Sequence, residues 1–128
     1  MDVFVVDDSA AMRQRLTAAL EEVPGVHVVG WADGADEATA TIRRLRPHLV
    51  VLDLKLAQGS GLFVLEAIRR LDPPPTVIVL TNYPHEQYRT RCAELGADFF
   101  FDKAAGLDSL LEACRSAAGA AEELGNHA

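Results

Sequence analysis

The stretch Leu49-Val50-Val51-Leu52-Asp53 decides the fold. Successive side chains of a strand point to opposite faces of a sheet, so four consecutive apolar residues with no polar alternation describe a strand covered on both sides. Such strands are what a parallel sheet between two helical layers requires. Val3 to Val6 and Val77 to Leu80 repeat the pattern, and Val26 to Val29 and Asp98 to Phe101 read as two weaker strands.

Between the five strands the apolar period changes to three and four. Met12, Leu16, Ala19, Leu20 and Val23 form one helical stripe, and Ala35, Ala38, Ile42 and Leu45 form a second that Pro47 stops. Leu62, Leu65 and Ile68 mark a third after Gly61, which the run Pro73-Pro74-Pro75 keeps from continuing. Tyr88, Cys92 and Leu95 mark a fourth, with Gly96 as its C-cap, and Leu107, Leu110, Leu111, Cys114 and Ala118 mark the last. Regular alternation of strand and helix predicts right-handed crossovers and a doubly wound α/β architecture. Ligands of such sheets bind beyond the carboxyl ends of the strands, which makes the residues just past each strand the ones to read for chemistry.

At 128 residues, 49% hydrophobic and 24% charged, the chain has ordinary globular composition and is expected to fold as one domain over residues 1–128. Its core is expected over about residues 2–121, with a short C-terminal tail. No apolar run approaches the roughly 20 residues of a membrane span. The opening Met1-Asp2-Val3-Phe4 lacks the basic segment of a secretory signal, so a cytoplasmic location is expected. A formal charge of −7 disfavours direct nucleic-acid binding, which depends on Lys and Arg neutralising phosphates. Cys92 and Cys114 lie in helical patterns and read as reduced, packed thiols, and the four histidines are scattered without metal-ligand spacing.

Asp7 and Asp8 follow the first strand, Asp53 the third, Thr81 the fourth and Lys103 the fifth. Three carboxylates crowded at one edge repel one another, and a hard divalent cation such as Mg2+ resolves that conflict. A hydroxyl and an ammonium beside them can grip an anionic oxygen, so the cluster can hold a phosphoryl group by electrostatic positioning, with one carboxylate attacking phosphorus. Taken singly, each residue has a plainer reading: Asp8 or Ser9 as a helix cap, Asp53 as a turn residue, Lys103 as a solvated charge. Their joint placement at strand ends is what favours the chemical one.

This ordered set, from Val3-Phe4-Val5-Val6-Asp7-Asp8 to the last helix, resembles the response-regulator receiver family over essentially the whole chain. The resemblance implies a flavodoxin-like (βα)5 fold of strand order 2-1-3-4-5. It also implies Mg2+ held by Asp7, Asp8, Asp53 and the backbone carbonyl of Lys55, phosphorylation of Asp53, and Thr81 and Lys103 as readers of the phosphoryl group. Phe100, three residues before the lysine, matches the aromatic that swings inward as the threonine moves. By the same resemblance a sensor histidine kinase or histidine phosphotransfer protein supplies the phosphoryl group, and water later removes it. The chemistry is self-modification, so the chain is expected to be a switch rather than a turnover enzyme. Its output is expected through phosphorylation-dependent binding of a downstream protein to the face made by the fourth helix, fifth strand and fifth helix.

The sequence ends after the last helix, which makes a free-standing, chemotaxis-style regulator the expectation, with a phosphorelay shuttle and a phosphorylation-independent docking module as alternatives. Phe99, Phe100, Phe101 and Tyr88 can support a partner or homodimer surface, although the core is the commoner fate of such residues. A haloacid-dehalogenase-type phosphohydrolase would carry a second acid where Lys55 stands, and a nucleotide-binding module would need a Gly-rich loop where the chain has Asp7-Asp8-Ser9-Ala10. Ala57 and Ala104 stand where the family usually has proline, while Asn82 follows Thr81 where a smaller residue is common and Tyr83 lies one further on. Lys55, Asn82 and Tyr83 are expected to narrow access to Asp53 and to slow dephosphorylation.

Overall fold

The structure, a computed structural model, describes residues 1–126. Five strands and five helices alternate as β1 (Asp2–Val6), α1 (Ala10–Glu21), β2 (His27–Ala32), α2 (Ala35–Leu45), β3 (Leu49–Leu52), α3 (Gly61–Ile68), β4 (Thr76–Thr81), α4 (Glu86–Glu94), β5 (Phe99–Asp102) and α5 (Leu107–Asn126). All strand pairs are parallel and the sheet order is β2-β1-β3-β4-β5.

The unbroken apolar strands divide their residues between two cores, as two-sided burial demands. Phe4, Val6, Val50, Leu52, Val77 and Val79 face one layer, where they meet Ile42 of α2, Leu65 and Ile68 of α3 and Cys92 of α4. Val3, Val5, Leu49, Val51, Ile78 and Leu80 face the other, against Leu16 and Leu20 of α1 and Leu110, Cys114 and Ala118 of α5. Both cysteines are free and buried, as their helical spacing predicts, and burial pushes each thiol up to about 11.

Helix ends follow local chemistry. Ser9 and Ser60 cap α1 and α3 by accepting from the Met12 and Leu62 amides. Arg46, forced out of the right-handed helical region by the Pro47 ring, takes φ 51° and ends α2. Gly96 sits at φ +92° just past α4, the left-handed stop expected of it.

Several boundaries differ from the sequence reading. β2 runs from His27 to Ala32 rather than from Val26 to Val29, because a register shift between Val3 and Phe4 inserts an extra residue and Gly30 interrupts the apolar run. A Cβ at that glycine would lie 3.0 Å from the Phe4 ring, so any side chain there would press on the ring. β5 begins one residue late, because the Asp98 carboxylate is spent accepting from the Val77 amide at 2.8 Å. Val23 falls outside α1 but is buried under the following turn. α5 continues to Asn126, past residue 121 where the tail was expected; of that tail, His127 and Ala128 lie outside the described residues.

Candidate functional site

The parallel register brings the strand ends level: Val6 pairs with Leu52, Leu52 with Val79, and Thr81 with Asp102. The residues following β1, β3 and β5 therefore emerge at one edge, with Thr81 as the last residue of β4. Asp7, Asp53 and Thr81 are buried there, and Asp8 is exposed.

Lys103 Nζ stands 2.8 Å from Asp7 Oδ2 and 2.8 Å from Asp53 Oδ2, a single ammonium bridging two buried carboxylates. The remaining oxygens are held by backbone: Asp7 Oδ1 accepts from the Ser9 amide at 2.9 Å, and Asp53 Oδ1 from the Leu54 amide at 2.7 Å. Burial raises the Asp53 carboxyl above its ordinary value, and the neighbouring Asp7 charge acts in the same direction, against the lowering effect of Lys103. For Lys103, burial works against the charge, but hydrogen bonds and attraction from Asp53 and Asp7 outweigh it and hold the ammonium above its ordinary value. Both directions follow from one lysine shared between two desolvated acids.

Oxygens of Asp7, Asp8 and Asp53 all lie within 4.8 Å of one another. Three carboxylates against one ammonium leave two negative charges in a pocket of hard oxygen donors, which fits a divalent ion of the Mg2+ class. Thr81 Oγ1 accepts from the Tyr83 amide at 3.1 Å, so its own hydrogen is available to a ligand oxygen.

The turn after Asp53 is fixed from behind by Gly61. A Cβ on Gly61 would lie 2.0 Å from the Asp53 carbonyl oxygen, so no other residue lets α3 start this close to Asp53. Ser60 pairs with Lys55 across that loop, and the Gly61 amide donates to the Leu54 carbonyl at 2.8 Å. The loop tip rests on α2, where the Ala35 amide donates to the Gln58 carbonyl at 2.7 Å. Lys55 Nζ meets Tyr83 Oη at 3.4 Å, joining the loops after β3 and β4. Asn82 is exposed.

Phe100 is half-buried against the α2–α3–α4 core, and the Arg89 guanidinium lies 4.6 Å over its ring. Its neighbours Phe99 and Phe101 point the other way and stack at 5.8 Å; Phe99 is 41% exposed, so this aromatic cluster is only partly absorbed by the core. The Lys103–Ala104 peptide bond is trans.

A sequence model described as the response regulator receiver domain matches residues 3–115. The chain belongs to the response regulator receiver family. The response regulator GacA of Pseudomonas aeruginosa is 33% identical to this receiver over 113 residues, covering 88% of the chain and 53% of GacA. A protein-glutamate methylesterase/protein-glutamine glutaminase of Caulobacter vibrioides is 43% identical over 96 residues, covering 74% of the chain and 28% of the relative. The receiver thus spans about half the length of GacA and little more than a quarter of the methylesterase.

Among solved structures, the response regulator domain of Thermotoga maritima CheB matches the receiver with a TM-score of 0.84 at 28% identity, covering 93% of this chain and 96% of that one. A CheY-like receiver domain protein of Methanospirillum hungatei matches with a TM-score of 0.83 at 27% identity, covering 95% and 96%. Phosphorylation on aspartate is general to this family. Among the described residues no helix is long and apolar enough to cross a membrane.

The structure brings Asp7, Asp8, Asp53 and Lys103 together and sets Thr81 at the adjacent strand end, while Lys55 lies in the loop after Asp53 against Tyr83 and Phe100 packs on the core beneath Arg89. Sequence reasoning missed Arg13, whose Nη1 donates to the Asp7 carbonyl at 2.8 Å, and Gln58. Arg13 bonds a backbone carbonyl, and the Gln58 carbonyl accepts from the Ala35 amide while its side chain bonds the Asp36 amide and carboxylate; a single sequence carries no pattern for such contacts.

Proposed function

We propose that this receiver is a phosphorylation switch whose acceptor is Asp53, charged by a sensor histidine kinase or a histidine phosphotransfer protein. The observation that carries the reading is the Lys103 bridge, 2.8 Å to each of Asp7 and Asp53, because it supports an acid at phosphoryl-transfer reach of both an ammonium and a second carboxylate.

An Asp53 oxygen attacks phosphorus, the P–N bond to the donor imidazole breaks as the P–O bond forms, and the imidazole leaves with its electron pair. Asp7, Asp8, Asp53 and the Lys55 carbonyl would hold Mg2+, which when bound neutralises charge on the transferring group. Lys103 turns from the carboxylate to a phosphoryl oxygen, and Thr81 donates its free hydrogen to another. Displacement of Thr81 toward the phosphoryl group leaves room for Phe100 to turn inward, which changes the α4–β5–α5 face and its affinity for a downstream protein.

Asp53 is modified and restored by hydrolysis, with no other substrate turned over, and the reading places the switch in the cytoplasm. Incubation with acetyl phosphate and Mg2+ should add one phosphoryl group by intact mass and none to Asp53→Asn. Labelling that persists in Asp53→Asn, or no labelling of the wild type, would favour a docking module instead.

A further inference from the structure

Asp7 belongs to a closed circuit that leaves the site and returns to it. Its amide donates to the Ala32 carbonyl at 3.1 Å, at the end of the edge strand β2. Trp31, the preceding residue, is 52% exposed, and the Arg13 guanidinium packs 3.9 Å from its ring centroid. From that position Arg13 Nη1 reaches back to the Asp7 carbonyl at 2.8 Å. The carbonyl belongs to the peptide joining Asp7 to Asp8, so the guanidinium fixes the unit that sets both carboxylates.

The arrangement also decides where a positive charge does not go. Asp8 is exposed and lies one residue from the bonded carbonyl. The guanidinium over the indole gives its hydrogen bond to the Asp7 carbonyl and not to the Asp8 carboxylate. A guanidinium 3.9 Å over the centroid of this exposed indole is held by a modest but geometrically defined attraction.

We infer that Arg13, held by Trp31, is a positioning residue for the Asp7–Asp8 pair and raises the affinity of the site for a divalent cation although it is itself a cation. The inference rests on the phosphoryl-switch reading of the site. Groups that orient ligands from outside the coordination shell commonly change metal affinity tenfold or more.

The sign of the effect separates positioning from charge. Arg13 lies well within a Debye length of the carboxylates, so if it acted only through its charge, Arg13→Ala would tighten Mg2+ binding. Positioning requires the opposite. Mg2+ binding to the intact chain, measured by calorimetry, should weaken about tenfold in Arg13→Ala. Arg13→Lys, which keeps the charge but not the planar guanidinium over the indole, should weaken binding as well. Trp31→Leu, which alters no site group, should weaken binding in the same direction and serves if Arg13→Ala does not fold.

Unchanged or tighter binding in Arg13→Ala, or in Trp31→Leu where that variant stands in for it, overturns the inference; so does wild-type affinity in Arg13→Lys. A wild type that binds no Mg2+ overturns the switch reading and this inference with it, whereas a wild type that binds with variants unaffected overturns this inference alone.

Discussion

Lys103 Nζ and Asp53 Oδ2 lie 2.8 Å apart, and the same ammonium is 2.8 Å from Asp7 Oδ2. Removing one partner of a buried ionic group leaves uncompensated charge, which is costly in a way that a surface pair is not. Lys103→Ala should therefore destabilise the metal-free protein by about 3 kcal/mol. Saturating Mg2+ should return part of that loss, since a divalent ion substitutes for the missing charge. Urea unfolding in chelator and in excess Mg2+ measures both, and equal stability of variant and wild type in chelator would refute the role of Lys103 as the counter-charge.

Asp53 should behave oppositely. Burial holds its carboxyl above the ordinary value of 3.8, so at neutral pH the folded chain carries a charge that is better solvated in the unfolded chain. That penalty is present above the raised folded value and disappears as pH falls through it toward the ordinary one. Asp53→Asn leaves Lys103 paired with Asp7 and removes the penalty, so its Tm should exceed that of wild type at pH 7, with the gap closing toward about pH 4. A variant less stable than wild type at neutral pH would show that the pairing outweighs the burial.

The Lys55–Tyr83 contact, 3.4 Å across the loops after β3 and β4, bears on how long the phosphoryl group lasts. Water must approach phosphorus in line with the Asp53 ester oxygen, and a rim tied together by these two side chains restricts that approach. Tyr83→Ala and Lys55→Ala should each accelerate decay of the phosphoprotein by about threefold or more. Unchanged decay rates in both would remove the rim from the account.

Gly61 tests the link between the third helix and Asp53. With Asp53 oxygen 2.0 Å from where a Cβ would sit, Gly61→Ala must displace either α3 or the Asp53 backbone. The cost should be about 3 kcal/mol, accompanied by slower phosphorylation from a small donor. Wild-type stability and rate in Gly61→Ala would mean the loop relaxes freely.

Where the sequence was legible, one physical reason served throughout. β3 and β4 are covered on both faces, so Leu49–Leu52 and Val77–Leu80 carry no polar interruption and read as strands almost to the residue. β2 is an edge strand with one half-open face, a bulge and Gly30, and its pattern is correspondingly blurred. The acids, threonine and lysine were legible because chemistry puts them at strand ends. Arg13 was not, since its bond goes to a backbone carbonyl, which any arginine can reach whatever the residue, and its seat on Trp31 depends on β2 lying beside β1.

The central claim is that Asp53 is the residue that takes the phosphoryl group. An aspartyl phosphate is an acyl phosphate, and borohydride reduces it to the alcohol, marking the residue permanently as homoserine. Wild-type protein treated with acetyl phosphate and Mg2+, reduced, digested and sequenced by mass spectrometry should carry homoserine at position 53 and nowhere else. Homoserine at position 7 or 8, or none at all, would contradict the assignment.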